Sequence, residues 1–140
     1  MAFSISAAMT GKDSHRFVLG LEIYETYRTV RRHFDRRARA LGFTQAQWRA
    51  LLRLDGNPGI SQARLADLLD MQPISLARIL DRMASADLIE RRPDPNDRRV
   101  VQLFLTPEST PVLSVLREIA EDVRAIATKG LSVDEQTNVI

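Results

Sequence analysis

The sequence contains no cysteine, only two lysines and few aromatic residues. Without cysteine the chain can form no disulfide, and it has no thiolate to act as a nucleophile or a metal ligand. No apolar run approaches the ~18 residues that span a bilayer. The mildly apolar start at Met1–Thr10 lacks the basic segment of a signal peptide. We therefore expect a cytoplasmic protein that does not associate with membranes.

The residue patterns of common enzymes are missing as well. The sequence has no Ser/His/Asp arrangement, no paired-carboxylate site and no glycine-rich loop that would cradle a phosphate. Its two histidines, His15 and His33, lie several turns apart on one predicted helix, so they cannot form a compact metal site within it. We expect no enzymatic activity, no cofactor and no metal.

Arginine dominates the charge of the chain. The net charge is only +2, but 18 of the 20 basic residues are arginine. Eight of them fall between Arg28 and Arg53, where Asp35 is the single acid. One interpretation of this arginine-rich segment is a solvated helix face. The other is a surface that lies near phosphates or lines a pocket for an anion.

Helices are predicted for most of the 140 residues, a length that suffices for one hydrophobic core. Apolar residues at spacings of three and four predict a first helix over residues 14–41 and a second over residues 44–54, with Thr44 as its N-cap. Thr106-Pro107-Glu108 predicts the start of another long helix, which ends near Gly130.

The last predicted helix is short. Ser132 is its N-cap, and Val133, Val139 and Ile140 begin an apolar stripe that stops with the sequence. Because so short a helix is marginal in water, we expect it either to dock on another chain or to be the start of a longer, truncated helix.

Residues 61–83 show a helix-turn-helix pattern. Ser61 caps the first helix, a tight turn follows near Asp70, and proline suits the first turn of the second helix. In such a motif the second helix presents its N-terminal residues to base edges in the major groove. We assign DNA contacts to the residues outside its apolar face: Gln72, Pro73, Ser75, Arg78 and Arg82.

A β-hairpin is predicted over residues 88–105, directly after this motif. Two runs of alternating apolar residues flank a tip rich in proline, aspartate and asparagine. Four arginines lie at its base and tip, namely Arg91, Arg92, Arg98 and Arg99. Their guanidinium groups suit insertion beside phosphates or into a narrow minor groove. The hairpin and the helices before it predict a winged helix-turn-helix, with double-stranded DNA as the partner.

These motifs resemble the MarR/SlyA family of transcriptional regulators. The resemblance covers about residues 14–135 and is carried by residues 41–51, Ser61-Gln-Ala-Arg-Leu-Ala66, residues 72–83 and, most specifically, residues 87–99 with Leu103-Phe-Leu-Thr106. It implies a mainly α-helical subunit with a small β-hairpin wing. It also implies an obligate homodimer whose long N- and C-terminal helices interlock.

The resemblance divides the chain into four parts. Residues 1–13 are expected to form a flexible arm and residues 14–43 a dimerisation helix. Residues 44–105 would form the winged helix-turn-helix, and residues 106–140 the C-terminal dimerisation helices, of which the last is truncated.

The family's wing motif, Asp-x-Arg, falls on Asp97-Arg98-Arg99. The resemblance implies that Arg99 enters the minor groove while Asp97 fixes its orientation, since a nearby carboxylate can hold a guanidinium in one pose. The alternative role for Asp97 is to form the turn. The chain departs from the family's thiol-sensing branch because it has no cysteine, which excludes peroxide sensing by that route.

The resemblance also implies a response to small aromatic ligands, which are frequently anionic. We expect the pocket between the first and second helices, where Tyr24, Tyr27 and Trp48 would contact a ligand near the arginine-rich segment. The alternative for Trp48 is an ordinary core position, and for the two tyrosines it is the dimer interface.

Two classes of function follow from the sequence. The first is a sequence-specific regulator of the MarR type, a ligand-responsive repressor or activator that binds a palindromic operator as a homodimer. The alternative is a winged-helix architectural or protein-interaction module without ligand control. The arginines at the wing tip and the polar start of the recognition helix favour the first.

Overall fold

The computed structural model describes residues 11–138, with the backbone alone for residues 11–16. The described part of the chain is mostly helical and carries one small sheet. Its elements, in chain order, are α1 (Gly11–Ala40), α2 (Gln45–Gly56), β1 (Ile60–Ser61), α3 (Gln62–Leu69), α4 (Pro73–Ser85), β2 (Ile89–Pro93), β3 (Val101–Leu105), α5 (Thr110–Ala127) and α6 (Val133–Thr137).

Three predicted N-caps are confirmed. The hydroxyls of Thr44, Ser61 and Ser132 each accept a hydrogen bond from the backbone N–H three residues further on. Such caps satisfy donors that a helix start leaves without intrahelical partners. Helix α1 begins at Gly11, ahead of the predicted start. Residues 1–10 of the predicted arm lie outside the described residues, as do the last two residues of the predicted apolar stripe, Val139 and Ile140.

The predicted helix start at Thr106-Pro107-Glu108 is confirmed in position, but the first turn is a 3₁₀ turn and the cap differs. The Thr106 hydroxyl donates to the carbonyl oxygen of Asp87 instead of accepting a capping hydrogen bond. Pro107–Ser109 forms a single 3₁₀ turn in which the Thr106 carbonyl accepts bonds from the Ser109 backbone N–H at 3.1 Å and from its hydroxyl at 2.7 Å, and α5 begins at Thr110. Thr106 is held at the end of β3 because its side chain bonds the segment that leaves α4.

The sheet has three antiparallel strands in the order β1-β3-β2, so the predicted two-stranded hairpin is incomplete. Ile60 pairs with Leu103, and Ile89 pairs with Leu105. Strand β1 has two residues, too few to show an alternating pattern in the sequence. Gly59, just before it, has a φ of +80°, and a Cβ there would lie 3.1 Å from the Phe104 ring, so the close approach of backbone to ring requires glycine.

One hydrophobic core joins the winged helix to α1 and α5. From α1 it takes Phe34 and Ala38, which are buried, whereas the apolar residues in the first half of this helix are exposed. Leu19 is 60% exposed and Ile23 61% exposed. The sequence predicts one buried face along all of α1, but within the described chain only its second half is covered.

Two ion pairs tie α5 to the other helices. Arg117 binds both carboxylate oxygens of Asp55 at the end of α2, with contacts of 2.6 and 2.7 Å from Nη2 and 3.1 Å from Nε. This bond raises the pKa of the Arg117 guanidinium. Arg37 on α1 binds Asp122 at 2.7 Å. The long helices and the winged helix are therefore connected by polar contacts as well as by the core.

Candidate nucleic-acid interface

The turn between α3 and α4 sets the angle of the second helix. Asp70 ends α3 in the left-handed conformation, with φ 53° and ψ 52°, which aspartate tolerates better than most residues. Pro73 then occupies the first turn of α4, as predicted. Leu76, Leu80 and Met83 are buried in the core and fix the helix against α2 and α3.

The opposite face of α4 is polar and open to solvent. Every residue predicted to contact DNA on this helix is exposed, namely Gln72, Pro73, Ser75, Arg78 and Arg82. The side chain of the N-cap Gln72 makes no capping hydrogen bond within the described chain, so its amide is available to a base edge. The spacing of Ser75, Arg78 and Arg82 places them along one side of the helix.

Ile74 is a candidate interface residue that the sequence analysis missed. It is 71% exposed at the N-terminal end of α4, beside the polar face. An apolar side chain at this place suits contact with a thymine methyl group. The sequence did contain a signal, because Ile74 stands outside the three- and four-residue spacing of the buried stripe at Leu76, Leu80 and Met83.

The wing tip holds one arginine in a fixed pose. Asp97 Oδ1 accepts hydrogen bonds of 3.0 Å from the Arg99 backbone N–H and from Nε, and Oδ2 accepts one of 3.0 Å from Nη2. These bonds from Arg99 hold the pKa of the Asp97 carboxyl below its ordinary value and raise that of the guanidinium. Both groups therefore stay charged at neutral pH, as the wing motif requires. Arg98 beside them is exposed.

Asp94 organises the loop that carries this pair. Its Oδ1 accepts hydrogen bonds from the backbone N–H groups of Asn96 and Asp97, at 2.7 and 3.2 Å. Its Oδ2 accepts a bond of 2.8 Å from Nε2 of Gln102 on β3. The sequence analysis treated Asp94 only as a turn former, because a contact that spans the two strands leaves no local pattern.

The two arginines at the wing base are engaged within the fold. Arg91 Nη2 lies 2.8 Å from Asp81 Oδ1 on α4, which links the wing to the recognition helix. Arg92 pairs with Glu90 and places its guanidinium carbon 4.4 Å from the centre of the Phe104 ring. Cation–π contact of this kind stabilises the hairpin. The base arginines thus differ from those at the tip, which point into solvent.

A cleft of about 290 Å³ lies between α1 and α2, where the sequence analysis placed a ligand pocket. It is lined by Tyr27, Trp48, Leu52 and two arginines, Arg49 and Arg53. Of the three predicted residues, Tyr27 and Trp48 come together there. Tyr24 is not among the lining residues, and its ring lies 5.7 Å below the guanidinium carbon of Arg28 instead.

Trp48 is both a core residue and a wall of this cleft. Its indole lies 4.0 Å from the Phe34 ring, centre to centre, and its Nε1 donates a hydrogen bond of 2.8 Å to Asp35. Asp35, the single acid of the arginine-rich segment, therefore fixes the tryptophan and also lies 3.9 Å from Nε of Arg31. The half-buried indole offers a rigid surface on which an aromatic ring can stack.

A second cleft, of about 360 Å³, lies between α1 and α5. Its lining includes the carboxylates of Glu22 and Glu25 as well as His33, together with apolar residues of both helices. Carboxylates repel anions, whereas Arg49 and Arg53 attract them. Of the two clefts, the one between α1 and α2 therefore suits an anionic ligand better, although it is smaller.

In the described part of the chain, the histidines, aspartates and glutamates form no group of three or more that could hold a metal ion. Over residues 11–138, no helix combines the length and apolar composition needed to cross a bilayer.

The comparisons with known proteins agree with this geometry. The MarR family model matches residues 43–101, the winged helix. The transcriptional regulator PA3341 is 32% identical, with a TM-score of 0.78, over 86% of this chain and 89% of that one. The chain belongs to the MarR family. Wild-type MarR from E. coli in its apo form is 27% identical, with a TM-score of 0.74, over 86% of this chain and 90% of that one.

One further MarR-family structure bears on the interface. A MarR mutant from E. coli, complexed with operator DNA, is 27% identical to this chain, with a TM-score of 0.71. The match covers 89% of this chain and 90% of that one. The predicted family and the winged-helix fold class are thereby confirmed, and the fold of this chain is that of a MarR-family transcriptional regulator.

Proposed function

We propose that this MarR-family protein is a sequence-specific DNA-binding regulator that acts as a homodimer on a palindromic operator. The observation that carries the proposal is the exposed Arg99, held by Asp97 at the wing tip, together with the solvent-facing polar side of α4. The helix would read the major groove while the arginine enters the adjacent minor groove. Residues 44–105 are the DNA-binding region in this scheme.

Dimerisation is supported by the apolar surface that the described chain leaves uncovered. Residues 17–27 of α1 expose seven large apolar or aromatic side chains, although Glu22 and Glu25 lie in the same stretch, and an exposed apolar surface of this kind favours contact with a partner. At the other end of the described chain, Ile126 is 63% exposed and Val133 77% exposed. A second copy that covers both regions with its own equivalent helices would bury these residues, in keeping with dimerisation roles for residues 14–43 and 106–140.

Ligand control is supported by the cleft between α1 and α2. An aromatic carboxylate would stack on Trp48 and pair with Arg49 or Arg53. Because α2 belongs to the winged helix and α1 to the dimerisation region, a ligand between them can favour one relative orientation. It shifts the equilibrium only by its differential affinity for the two orientations. We propose that it moves the recognition helices apart and weakens operator binding.

The DNA-binding proposal is tested by measuring affinity for a fragment of the gene's own promoter and for random duplex, each at two salt concentrations. Phosphate contacts give the salt dependence, whereas base contacts give the preference. We expect the promoter fragment to be bound more tightly at both concentrations. Equal affinities would favour the alternative, an architectural or protein-interaction module.

Ligand control is tested by titrating a panel of aromatic carboxylates while both ligand and operator affinities are measured. Coupling of about 1–3 kcal/mol is typical, and linkage requires it to be the same in both directions. The Arg53→Ala variant should weaken ligand binding, whereas Arg36→Ala, which removes an exposed arginine of α1 outside the cleft lining, should not. Ligands that bind without changing operator affinity would identify a constitutive DNA binder.

A further inference from the structure

The wing carries a chain of contacts that runs from the sheet to the exposed arginine. It starts at Gln102, on β3, whose Nε2 donates to Asp94 Oδ2 at 2.8 Å. Asp94 Oδ1 in turn accepts the backbone N–H of Asp97 at 3.2 Å. Asp97 then binds the Arg99 guanidinium through both of its carboxylate oxygens. These contacts lead from a paired strand, through the loop, to the exposed arginine.

The two carboxylate oxygens of Asp94 accept hydrogen bonds from different parts of the wing. A residue that merely forms a turn needs only the bonds that Oδ1 accepts from the following backbone. The bond from Gln102 is additional, because it ties the loop to a side chain within a paired strand. Backbone bonds close the same loop, from Asp94 N to the Val100 carbonyl at 3.0 Å and from Val100 N to the Asp97 carbonyl at 2.9 Å.

We propose that Asp94, buttressed by Gln102, is a positioning residue that sets the direction of Arg99 for the minor groove. The proposal rests on the DNA-binding function proposed above. Asp97 alone fixes the guanidinium only relative to its own loop, so the pair would still move together if the loop moved. Asp94 fixes the loop relative to the sheet. Because the arginine is then held in place before binding, less conformational freedom is lost when DNA binds.

The test removes the contact and then restores it with donor and acceptor exchanged, without changing the charge of the pair. In Gln102→Leu, Asp94 keeps its charge and the two backbone bonds that Oδ1 accepts, but Oδ2 loses its donor, so one contact is lost. In Asp94→Asn/Gln102→Glu the contact returns with donor and acceptor exchanged. We expect the single variant to bind the operator about threefold to tenfold more weakly, as for one lost hydrogen bond. The double variant should recover most of this loss.

Operator affinity measured in an Arg99→Ala background distinguishes positioning of Arg99 from a general structural role of Asp94. If Asp94 acts through Arg99, adding Gln102→Leu to Arg99→Ala should leave operator affinity unchanged, since interacting residues give non-additive effects. Full additivity of the two losses, or wild-type affinity for Gln102→Leu, would overturn the proposal. Thermal unfolding of each variant checks that the fold is retained.

A measurement on the free protein, without DNA, distinguishes failure of the positioning proposal from failure of the DNA-binding proposal. In the free protein, the NMR signal of the Arg99 Nε–H reports its bond to Asp97, and its hydrogen exchange should accelerate in Gln102→Leu and slow again in Asp94→Asn/Gln102→Glu. If the wild-type protein prefers no DNA sequence but the exchange changes as expected, the positioning stands and the DNA-binding function falls. Unchanged exchange in Gln102→Leu would overturn the positioning itself.

Discussion

Arg99 leaves 91% of its side-chain surface in solvent, although both oxygens of Asp97 hold its guanidinium. Arg91, only a few residues away in the same hairpin, is 31% exposed and binds Asp81 on the recognition helix. The two arginines have the same chemistry but different neighbours. An arginine that is oriented and still exposed is available to a partner, whereas one that is paired across two elements serves the fold.

Arg99→Ala should weaken operator binding about 5-fold to 150-fold, the range expected for loss of a specific arginine contact. Thermal stability should change little, because an exposed tip buries almost no surface. Arg99→Lys is the matched control, since it keeps the charge but cannot bind both carboxylate oxygens in parallel. It should recover only part of the affinity. Wild-type affinity for Arg99→Ala would remove the wing from the mechanism.

The contribution of the wing should not depend on pH near neutrality. The bonds from Arg99 lower the pKa of Asp97, so the pair is fully formed above the ordinary carboxylate range and is lost only as the pH falls through that lowered pKa. The ratio of operator affinities for wild type and Arg99→Ala should therefore stay constant between about pH 6 and 8. A tenfold change in this ratio would show that another titrating group controls the wing.

At the scale of elements, the wing and the recognition helix are joined by the Arg91–Asp81 ion pair. Asp81→Ala should cost less than about 1 kcal/mol of stability, because Asp81 is mostly exposed and exposed pairs contribute little. It should nevertheless weaken minor-groove protection by the wing in a hydroxyl-radical footprint, while protection by α4 persists. Asp67→Ala, which removes an exposed carboxylate from α3, is the control. Equal loss of protection at both grooves would contradict this role.

Elements with local signals could be predicted from the sequence. The caps at Thr44 and Ser61 and the proline of α4 are set by neighbouring residues, so the pattern placed these helices well. Strand β1 and the Gln102–Asp94 contact could not be predicted in this way, because they depend on residues that come together only after folding. The missing side-chain cap at Thr106 has the same cause, since the Thr106 hydroxyl makes a long-range bond to the Asp87 carbonyl.

At the scale of the whole molecule, the winged helix is joined to α1 and α5 by the shared hydrophobic core and by defined polar contacts. Arg117–Asp55 joins α5 to the end of α2, and the cleft with Arg49 and Arg53 lies between α1 and α2. The sequence predicted a pocket at this junction. Of the three aromatic residues that it assigned to the pocket, Tyr27 and Trp48 line the cleft. It did not single out Arg49 and Arg53 among the eight arginines, because only the packing of α1 on α2 brings them beside Trp48.

The central claim is that two copies of this chain read DNA together through α4 and the wing. It is tested most directly by selecting the tightest-binding sequences from a pool of random duplexes at fixed salt. Two recognition helices related by a two-fold axis should select an inverted repeat whose half-site centres are about 10 bp apart, or one helical turn. A hydroxyl-radical footprint of the selected duplex should show two protected half-sites. Enrichment of no sequence, or of a single half-site bound by one protomer, would contradict the account.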